Sequence, residues 1–342
     1  MKIKINPKFK SQLKNIGLIA EKNGVRAYLV GGPVRDLLCG KQLFDLDIAI
    51  EGNVAKFINE LSSNLKAKVV SYKRFGTFVL TLPDNSHIDF ATARREIYAK
   101  PGALPDVRFC NIEADLLRRD FSINAIAISI NSTNFGEIID PFSGALAVRK
   151  KAIEVLHTLS FRDDPTRIFR LARFASRGFS VKKSTLILAK KYSIFIKNIS
   201  PQRIKNELIS LLEEKNPGYA FNLLSNIGAI SKFSVDVAVI KDFNFLNRGK
   251  DANERLYLLI NAIGLQKGEK FLRGLCFSKK EIANFLTPLK KTKILPVLNG
   301  EDLKKLNIKP GPLYKQIFSA LLKRKIKTKK AALEFVKANF CR

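Results

Sequence analysis

The chain has 342 residues, of which 46% are hydrophobic, and this is enough for two or three domains with buried cores. Its formal net charge of +31 exceeds what solubility requires and indicates a polyanionic partner, with nucleic acid ahead of an acidic membrane surface. The sequence shows neither a signal peptide nor an apolar run of roughly 20 residues, so we expect a cytoplasmic protein with no membrane span.

The cysteines and histidines exclude several kinds of site. The four cysteines have no paired spacing, which argues against a zinc centre or a disulfide framework and favours reduced thiols. The only two histidines, His87 and His157, leave little material for a histidine-rich metal site or a serine–histidine triad. We therefore expect any catalysis to rely on carboxylates.

The first 150 residues are predicted to form an α/β unit built on a sheet. They contain short β-like runs, such as RAYLVGG, FDLDIAI and HIDFATA, with short helical segments between them, such as VAKFINELSSNLK. From about Lys151 onward, apolar residues recur at three-to-four spacing. This pattern predicts that the second half of the chain is entirely helical.

Two glycines follow the first predicted strand, in AYLVGGPVRDLL. Gly31 and Gly32 stand between strand and helix, and Pro33 is suited to the first helical turn. Such a turn lets backbone amides approach a polyphosphate, and Arg35 can add a fork of donors. A glycine pair alone is weak evidence, because tight turns use it widely.

The stretch FDLDIAIEG alternates strictly in polarity and is predicted to be a strand. Asp45 and Asp47 fall on one face, opposite an apolar face that includes Phe44, Leu46 and Ile48. Carboxylates two residues apart on a strand can converge on paired magnesium ions, which clamp the oxygens of phosphoryl transfer. The alternative, which is commoner for an isolated D-x-D, is a half-buried strand whose acids face water.

Together, LVGGPVRDLLCGKQLFDLDIAIEG resembles the nucleotidyltransferase signature of the polymerase-β superfamily. The form is that of class II tRNA nucleotidyltransferases (CCA-adding enzymes) and bacterial poly(A) polymerases. The resemblance implies catalysis with two Mg²⁺ ions as cofactors. It assigns phosphate binding to Gly31, Gly32 and Arg35, and metal binding and catalysis to Asp45 and Asp47.

A second cluster, DLLRRDFSINAIAI, resembles the second motif of this family, with Ser122 where threonine is more usual. By resemblance, Arg119 contacts the triphosphate, while Asp120 and Asn124 position the sugar. The alternative is a surface ion-pair group with little energetic effect. Upstream, Asp89 in HIDFATA is a candidate third acid of the metal site, with a structural role as the alternative.

The segment ATARREIYAKPGALPDV lies between these two motifs and corresponds to the flexible loop of the family. The resemblance connects this loop with the change from cytosine to adenine addition. Its full length argues against an enzyme that adds only cytosines. A plain surface connection is the alternative.

The third cluster, FRDDPTRIFRLARFASRGF, resembles the E-D-x-x-R motif of class II enzymes, with Asp163 in place of the usual glutamate. Asp164 and Arg167 are predicted to be neighbours on a helix, and Arg170 and Arg173 continue the same ridge. A carboxylate beside a guanidinium matches the amino donor and ring-nitrogen acceptor of cytosine and of adenine. Uracil and guanine present the reverse order. The alternative is that the aspartate before the proline caps the helix.

The positive charge is concentrated at the C-terminus. From Lys279 onward there are 17 Lys or Arg against 4 Asp or Glu, a net charge of +13. Such a segment is suited to sequence-independent contact with RNA phosphates, and the alternative is a solvated helical face. The predicted RNA-binding residues are Lys323, Arg324, Lys325, Lys327, Lys329 and Lys330.

The expected fold class is α+β: a polymerase-β-like nucleotidyltransferase palm with a mixed sheet, followed by an all-helical neck, body and tail. The segment SPQRIKNELISLL resembles the fifth motif of the family and is predicted to be structural. The predicted domains are the palm, 1–148; the neck with the base-selecting motif, 149–215; the body, 216–285; and the basic, tRNA-binding tail, 286–342.

The resemblance implies template-independent addition of CCA to the 3′ end of tRNA from CTP and ATP, with release of pyrophosphate. The expected partners are therefore tRNA, CTP and ATP; the sequence does not indicate an oligomeric state. Three alternatives on the same scaffold are an A-adding or CC-adding specialist, a poly(A) polymerase, and a non-catalytic RNA-binding protein.

Overall fold

The computed structural model of the protein describes residues 5–283, 285, 298, 300–306, 308, 312–323 and 328–340. It contains two compact units, Met1–Arg255 and Leu256–Arg342. The finer division into four domains stays a prediction.

Within residues 5–283, eleven short strands are present in the first unit. They are β1 (Arg26–Val30), β2 (Leu46–Glu51), β3 (Lys68–Tyr72), β4 (Thr77–Thr81), β5 (His87–Thr92), β6 (Arg94–Ile97), β7 (Asp106–Phe109), β8 (Ala127–Ser129), β9 (Ile138–Ile139), β10 (Ala152–Ile153) and β11 (Ser180–Val181).

The main sheet of the first unit has seven strands in the described region, in the order β3-β4-β5-β2-β1-β8-β9. Only β2 and β5 pair in parallel, and the other neighbours are antiparallel. The predicted mixed sheet is therefore confirmed. The parallel register sets Asp47 of β2 beside Asp89 of β5, so two of the predicted metal-site acids are neighbours.

The strand that carries the acids begins later than predicted. β2 starts at Leu46, so Asp45 immediately precedes the strand. Leu46 and Ile48 are buried as expected, but Phe44 is 86% exposed and does not join the apolar face. The prediction for Phe44 was wrong because the alternating pattern extends two residues beyond the backbone pairing that orients side chains.

The helices of the first unit in chain order are α1 (Pro7–Lys22), α2 (Gly32–Leu38), α3 (Val54–Asn64), α4 (Ile112–Leu117), α5 (Gly144–Arg149), α6 (Ser160–Asp163), α7 (Thr166–Ser176), α8 (Lys183–Tyr192), α9 (Pro201–Leu212), α10 (Pro217–Asn226) and α11 (Val235–Ala238). α12 (Ala252–Ile263) begins at the end of this unit.

Helices α1 and α3 contact each other, and α1 also contacts β1. The α3 residue Phe57 meets Phe90 of β5 edge to face, with ring centroids 5.9 Å apart, and both rings are buried. Leu13 and Ile16 of α1 are also fully buried. Burial of these side chains stabilises the helical layer and leaves the opposite face of β2, with Asp47, available for polar chemistry.

The sequence predicted that the segment after residue 151 is entirely helical, but the structure shows a short strand pair in it. β10 and β11 form a short parallel pair. Gly178, with φ 88°, follows the end of α7, after which the chain runs extended and Ser180 donates its N–H to the carbonyl of Lys151. Two residues per strand are too few to give a periodic sequence signal.

Helices α7, α9 and α10 pack together. Ser200 caps α9 by accepting the N–H of Arg203, and Pro201 occupies the first turn. Phe169 and Leu171 of α7 are fully buried in this layer, as is Leu208 of α9. The apolar sides of α7 and α9 are therefore fixed, and their polar sides are oriented by the same packing.

The second unit is helical in its described part. Its helices are α13 (Leu265–Gly274), α14 (Gly300–Lys304), α15 (Pro312–Lys323) and α16 (Lys329–Phe340), which follow the end of α12. Leu303, Ile317, Leu321 and Val336 are the centre of a small apolar core there. In the described parts of both units, no helix is long and apolar enough to cross a membrane.

We predict that Gly17→Ala destabilises the first unit. A Cβ at Gly17 would lie 1.9 Å from the backbone oxygen of Ile130, so α1 or the chain after β8 would have to move. Overpacking of this kind costs about 1–3 kcal/mol, which outweighs the helix propensity of alanine, about 1 kcal/mol. Urea unfolding followed by circular dichroism measures the effect.

The matched control is Ser11→Ala, at an exposed position of the same helix. It should change the free energy of unfolding by less than about 0.5 kcal/mol. Equal stability of the Gly17→Ala and Ser11→Ala variants would contradict the close approach of α1 to Ile130.

Candidate active site

A cavity of about 650 Å³ lies in the first unit, where α2 and β2 face α7 and α9. Its wall contains every nucleotide-binding residue predicted from the sequence and both principal predicted metal ligands. These residues are Gly31, Gly32, Arg35, Asp45, Asp47, Arg119, Asp120, Asp164, Arg167, Arg170 and Arg173. Segments that are far apart in the chain therefore meet at one place.

The turn between β1 and α2 requires glycine. Gly31 adopts φ 71° and ψ −131°, a left-handed conformation that a side chain disfavours. A Cβ at Gly31 would also lie 3.0 Å from Nη1 of Arg119 and 3.8 Å from Oδ2 of Asp47. The absence of a side chain at this position thus lets a guanidinium and a carboxylate approach the turn.

Arg35 is held in place from two sides. Its Nε donates to Oδ1 of Asp36 at 3.2 Å, and its Nη1 donates to Oδ1 of Asn124 at 2.7 Å. Asn124 was predicted to position the sugar, and in the structure it joins the first motif to the second. The guanidinium of Arg35 is thereby directed at the wall of the cavity.

The carboxylates at β2 repel one another. Burial, together with the negative charges of Asp45 and Asp89, raises the pKa of Asp47 to about 6, although Arg119 and Arg35 act in the opposite direction. Burial and the charge of Asp45 likewise raise the pKa of Asp89. The acids therefore form a region of negative potential that the neighbouring arginines do not neutralise.

The donor chemistry of this region suits a divalent cation. Magnesium prefers carboxylate oxygens, and a bound cation would offset the repulsion that raises the pKa of Asp47. Among the described residues, however, no group of three or more His, Cys, Asp or Glu is arranged to hold a metal ion. Asp45 and Asp47 are thus the residues that would hold it, and Asp89 as a third acid stays a prediction.

A buried acid that the sequence analysis missed fixes the arginines of the second motif. Asp115 in α4 is 1% exposed; its Oδ1 accepts Nε of Arg118, and its Oδ2 accepts Nη2 of Arg119, each at 2.9 Å. Burial opposes its ionisation, but the two arginines outweigh burial and hold the pKa of Asp115 below its usual value. The spacings of three and four residues were the available signal.

Asp120 is also buried, which excludes the alternative of a surface ion-pair group. Its Oδ2 accepts Nε of Arg170 at 2.7 Å, and its Oδ1 accepts Nδ2 of Asn124 at 2.9 Å. Burial opposes ionisation, but Arg170 and Asn124 together hold the pKa of Asp120 below its usual value. This contact ties the second motif to α7.

Asp164 does not lie on the same helix as Arg167, and that prediction was wrong. α7 begins at Thr166, and Asp164 precedes it, accepting the backbone N–H of Thr166 at 3.1 Å and its hydroxyl at 2.7 Å. The capping contact therefore exists. The carboxylate also pairs with Nη2 of Arg203 at 2.8 Å, so its arginine partner comes from α9 rather than from α7.

The arginines of α7 have separate partners. Arg167 is 5% exposed and donates from Nη1 to the hydroxyl of Ser160 and from Nη2 to the carbonyl of Arg118. Arg173 instead donates from Nε to Glu214 at 3.2 Å. These contacts orient the predicted ridge toward the cavity wall, which the helical spacing alone could not establish.

Helix α9, to which the sequence assigned only a structural role, contributes directly to the site. Glu207 lines the cavity, and in the described part of the chain its Oε2 has no hydrogen-bond partner. Burial raises the pKa of Glu207. Helix α9 therefore supplies two polar groups that were not predicted from the sequence: Glu207, and Arg203, which pairs with Asp164.

The segment that resembles the flexible loop forms a β-hairpin. β6 and β7 pair antiparallel, and the chain between them contacts α6 and α9. The N–H of Gly102 donates to the carbonyl of Asp163 at 3.2 Å, and Nη1 of Arg203 donates to the carbonyl of Gly102 at 3.1 Å. Arg203 therefore joins this hairpin to Asp164.

The predicted RNA-binding residues lie at the end of the second unit. Lys323 ends α15, and Lys329 and Lys330 begin α16, where both are exposed. Lys329 pairs with Asp302 at 2.6 Å. The remaining predicted residues, Arg324, Lys325 and Lys327, lie outside the described residues.

We predict that the carboxyl group of Asp47 titrates near pH 6 in the metal-free protein and that Asp45→Asn lowers this midpoint. The substitution removes a negative charge, but burial remains, so the pKa should stay above 3.8. Because the folded state binds this proton more tightly than the unfolded chain, the contribution of Asp47 to stability decreases as pH rises through about 6. Carbon-13 NMR titration in the presence of a chelator measures the midpoint.

Asp106→Asn, at an exposed acid of β7, is the control and should leave the Asp47 midpoint unchanged. An Asp45→Asn variant with the wild-type midpoint would show that the two carboxylates do not interact.

Comparison with known proteins identifies two matching family models. The Poly A polymerase head domain matches residues 27–154, and the probable RNA and SrmB-binding site of polymerase A matches residues 178–233. An A-adding tRNA nucleotidyltransferase of Halalkalibacterium halodurans is 32% identical over 96% of this chain and 92% of its own length. One of Geobacter sulfurreducens is 37% identical over 67% of this chain, but that match spans only 26% of its length.

Solved structures agree with these matches. A tRNA-processing enzyme in apo form I is 27% identical, with a TM-score of 0.72, over 99% of this chain and 93% of its own. The Thermotoga maritima CCA-adding enzyme complexed with tRNA is 25% identical, with a TM-score of 0.60, over 98% of this chain and 96% of its own. Because both the fold and the aligned sequence extend over nearly the whole chain, this protein belongs to the family of class II tRNA nucleotidyltransferases and bacterial poly(A) polymerases.

Proposed function

We propose that this protein adds nucleotides to the 3′ end of tRNA without a nucleic-acid template and completes the CCA sequence from CTP and ATP. The observation that carries this proposal is the single cavity in which a repelling carboxylate pair faces the fixed arginines and Asp164. The family of the chain and the named activities of its relatives support the same reaction.

Selection of the base is assigned to the end of the cavity at Asp164 and the arginines of α7. The carboxylate can accept a hydrogen bond from the amino group of cytosine or adenine, and a guanidinium can donate to the neighbouring ring nitrogen. UTP or GTP would place a carbonyl oxygen of the base against the carboxylate and a ring N–H against the guanidinium. Each group left without a hydrogen-bond partner would cost about 1–3 kcal/mol. Protein side chains thus replace a template.

The remaining groups of the cavity are assigned to the sugar and the phosphates. Asp120 and Asn124 are bonded to each other and lie where a ribose can be held, while Arg35 and Arg119 face the Gly31 turn. Mg²⁺ held by Asp45 and Asp47 would lower the pKa of the attacking 3′-hydroxyl and stabilise charge on the leaving pyrophosphate. No histidine lines this part of the described chain, so the assignment needs no histidine base.

A second candidate is an A-adding specialist that works with a separate CC-adding enzyme. The observation that favours it is that the relatives from H. halodurans and G. sulfurreducens are both A-adding tRNA nucleotidyltransferases. The cavity accepts either base by the argument above, so the choice between the two candidates depends on the acceptor RNA.

The test uses two acceptors: tRNA that ends at the discriminator base, and tRNA that already carries both cytosines. Each is incubated with the purified protein, Mg²⁺ and one labelled nucleotide at a time, and then with CTP and ATP together. CCA addition requires label from CTP on the first acceptor and from ATP on the second. Label on the second acceptor alone would replace the proposal with A addition, and label on neither would favour a non-catalytic RNA-binding protein.

The basic C-terminal segment is proposed to hold the tRNA. Exposed Lys329 and Lys330 begin α16, in the part of the chain where positive charge is concentrated. Contacts of lysine with RNA phosphates release counterions, so tRNA retention should weaken steeply as the salt concentration rises.

We predict that Asp47→Asn reduces incorporation about 100-fold or more while tRNA retention on a filter remains within about twofold. The substitution keeps the size of the side chain but removes a charge that the metal requires. Glu113→Gln, at an exposed acid of α4, is the control and should keep wild-type incorporation. Substantial turnover by the Asp47→Asn variant would exclude the metal assignment.

We predict that Asp164→Asn increases misincorporation of UMP and GMP relative to CMP and AMP. An amide still accepts the N–H of Thr166 and keeps the helix cap, but its NH₂ group can donate to the carbonyls of uracil and guanine. Competition assays with pairs of labelled nucleotides measure the change. Wild-type discrimination by Asp164→Asn, with loss of stability only in Asp164→Ala, would reduce the role of this residue to capping.

A further inference from the structure

Arg177 lines the cavity at the C-terminal end of α7; it falls within the third cluster, FRDDPTRIFRLARFASRGF, but no role was predicted for it from the sequence. It lies ten residues beyond Arg167, which corresponds to about 15 Å along a helix. Arg177 therefore lines a different part of the cavity wall from Asp164 and Arg167. It belongs to the other end of the cavity.

That other end is the one at the glycine turn. The guanidinium carbon of Arg177 lies 5.6 Å from the ring centre of Phe174, and that of Arg35 lies 5.1 Å from the same ring. The hydrogen bonds and charge of Glu214 raise the pKa of Arg177, and the charge of Asp36, which holds Arg35, acts in the same direction. Arg35 from α2 and Arg177 from the end of α7 thus approach the same place from opposite sides.

The orientation of Arg177 is fixed by Glu214, which is only 7% exposed. Nε of Arg177 donates to Oε2 of Glu214 at 2.8 Å, and Nη2 of Arg177 donates to Oε1 at 2.5 Å. The backbone carbonyl of Glu214 in turn accepts Nη1 of Arg255 at 2.7 Å. This paired contact holds the guanidinium plane and limits the conformational entropy lost when a ligand binds.

One nitrogen of Arg177 remains available. Among the described residues, Nη1 has no hydrogen-bond acceptor, and the side chain is 41% exposed. Its ion-pair partner Glu214 also accepts Nε of Arg173, whose Nη1 lies 3.9 Å from Oε2 of Glu207. Nη1 of Arg177 therefore offers a charged donor, oriented by Glu214, to an anionic ligand.

We infer that Arg177 binds the β- and γ-phosphates of the incoming nucleoside triphosphate, with Glu214 as its positioning residue. The inference rests on the proposed function. In that reaction the 3′-hydroxyl oxygen forms a bond to the α-phosphorus, and the bond from the α-phosphorus to the α,β-bridging oxygen breaks. The hydroxyl proton passes to solvent, and pyrophosphate leaves. Arg177 stays in contact with the leaving group and not with the transferred nucleotide.

The test compares ATP, pyrophosphate and AMP as ligands of the full chain in the presence of Mg²⁺ and without tRNA, by isothermal titration calorimetry. Arg177→Gln should weaken binding of ATP and of pyrophosphate about tenfold and leave binding of AMP within about twofold. Glu214→Gln should weaken ATP binding in the same selective way. Arg248→Gln, at an exposed arginine of the same unit, is the matched control and should bind all three ligands as the wild type does.

Arg177→Lys distinguishes a loss of binding from a folding defect, because it keeps the charge but loses the paired contact with Glu214. This variant should retain part of the ATP affinity, and its circular dichroism spectrum should match that of the wild type. Equal losses for ATP and AMP would overturn the inference and make Arg177 structural. Unchanged ATP binding with weaker tRNA retention would assign it to RNA instead. A wild-type protein that binds none of the three ligands would refute the proposed function itself.

Discussion

The site depends on ion pairs in which arginines are bonded to acids that are themselves largely buried. The acids are Asp115, Asp120, Asp164 and Glu214, and their arginine partners lie, in the same order, just after α4, in α7, in α9 and at the end of α7. Removal of such an acid would leave an arginine without its partner, which is costly inside a protein. The donors are therefore oriented before a ligand arrives, and little reorganisation accompanies binding.

The sheet provides the opposite charge. Parallel pairing of β2 with β5 sets Asp47 beside Asp89, and Asp45 precedes β2 at the same end of the strand. In the described part of the chain, neither Asp45 nor Asp47 forms an ion pair, and burial together with the charges of Asp45 and Asp89 raises the pKa of Asp47. A cation together with a polyphosphate matches this arrangement, because the acids at β2 attract the cation and the arginines attract the phosphates.

The sequence was sufficient for the mixed sheet, for the helical layer and for most of the cavity wall. Gly31, Asp47 and Asp164 stand in short motifs whose residue types are dictated by local chemistry, so the motifs could be read directly. Asp115 carried a local signal as well, through its helical spacing to Arg118 and Arg119, and that signal was overlooked. Glu214 and Arg203 were not predictable, because their partners lie 37 and 39 residues away and only tertiary packing brings them together.

All the basic groups in the described cavity wall are arginines, and neither lysine nor histidine is among them. A guanidinium keeps its proton throughout the range in which proteins remain folded, whereas burial brings carboxyl groups such as Asp47 and Glu207 closer to neutrality. Acid therefore changes the electrostatic character of the cavity and alkali does not. A fall in pH would thus weaken the attraction of the cavity for a cation, whereas a rise would leave it unchanged.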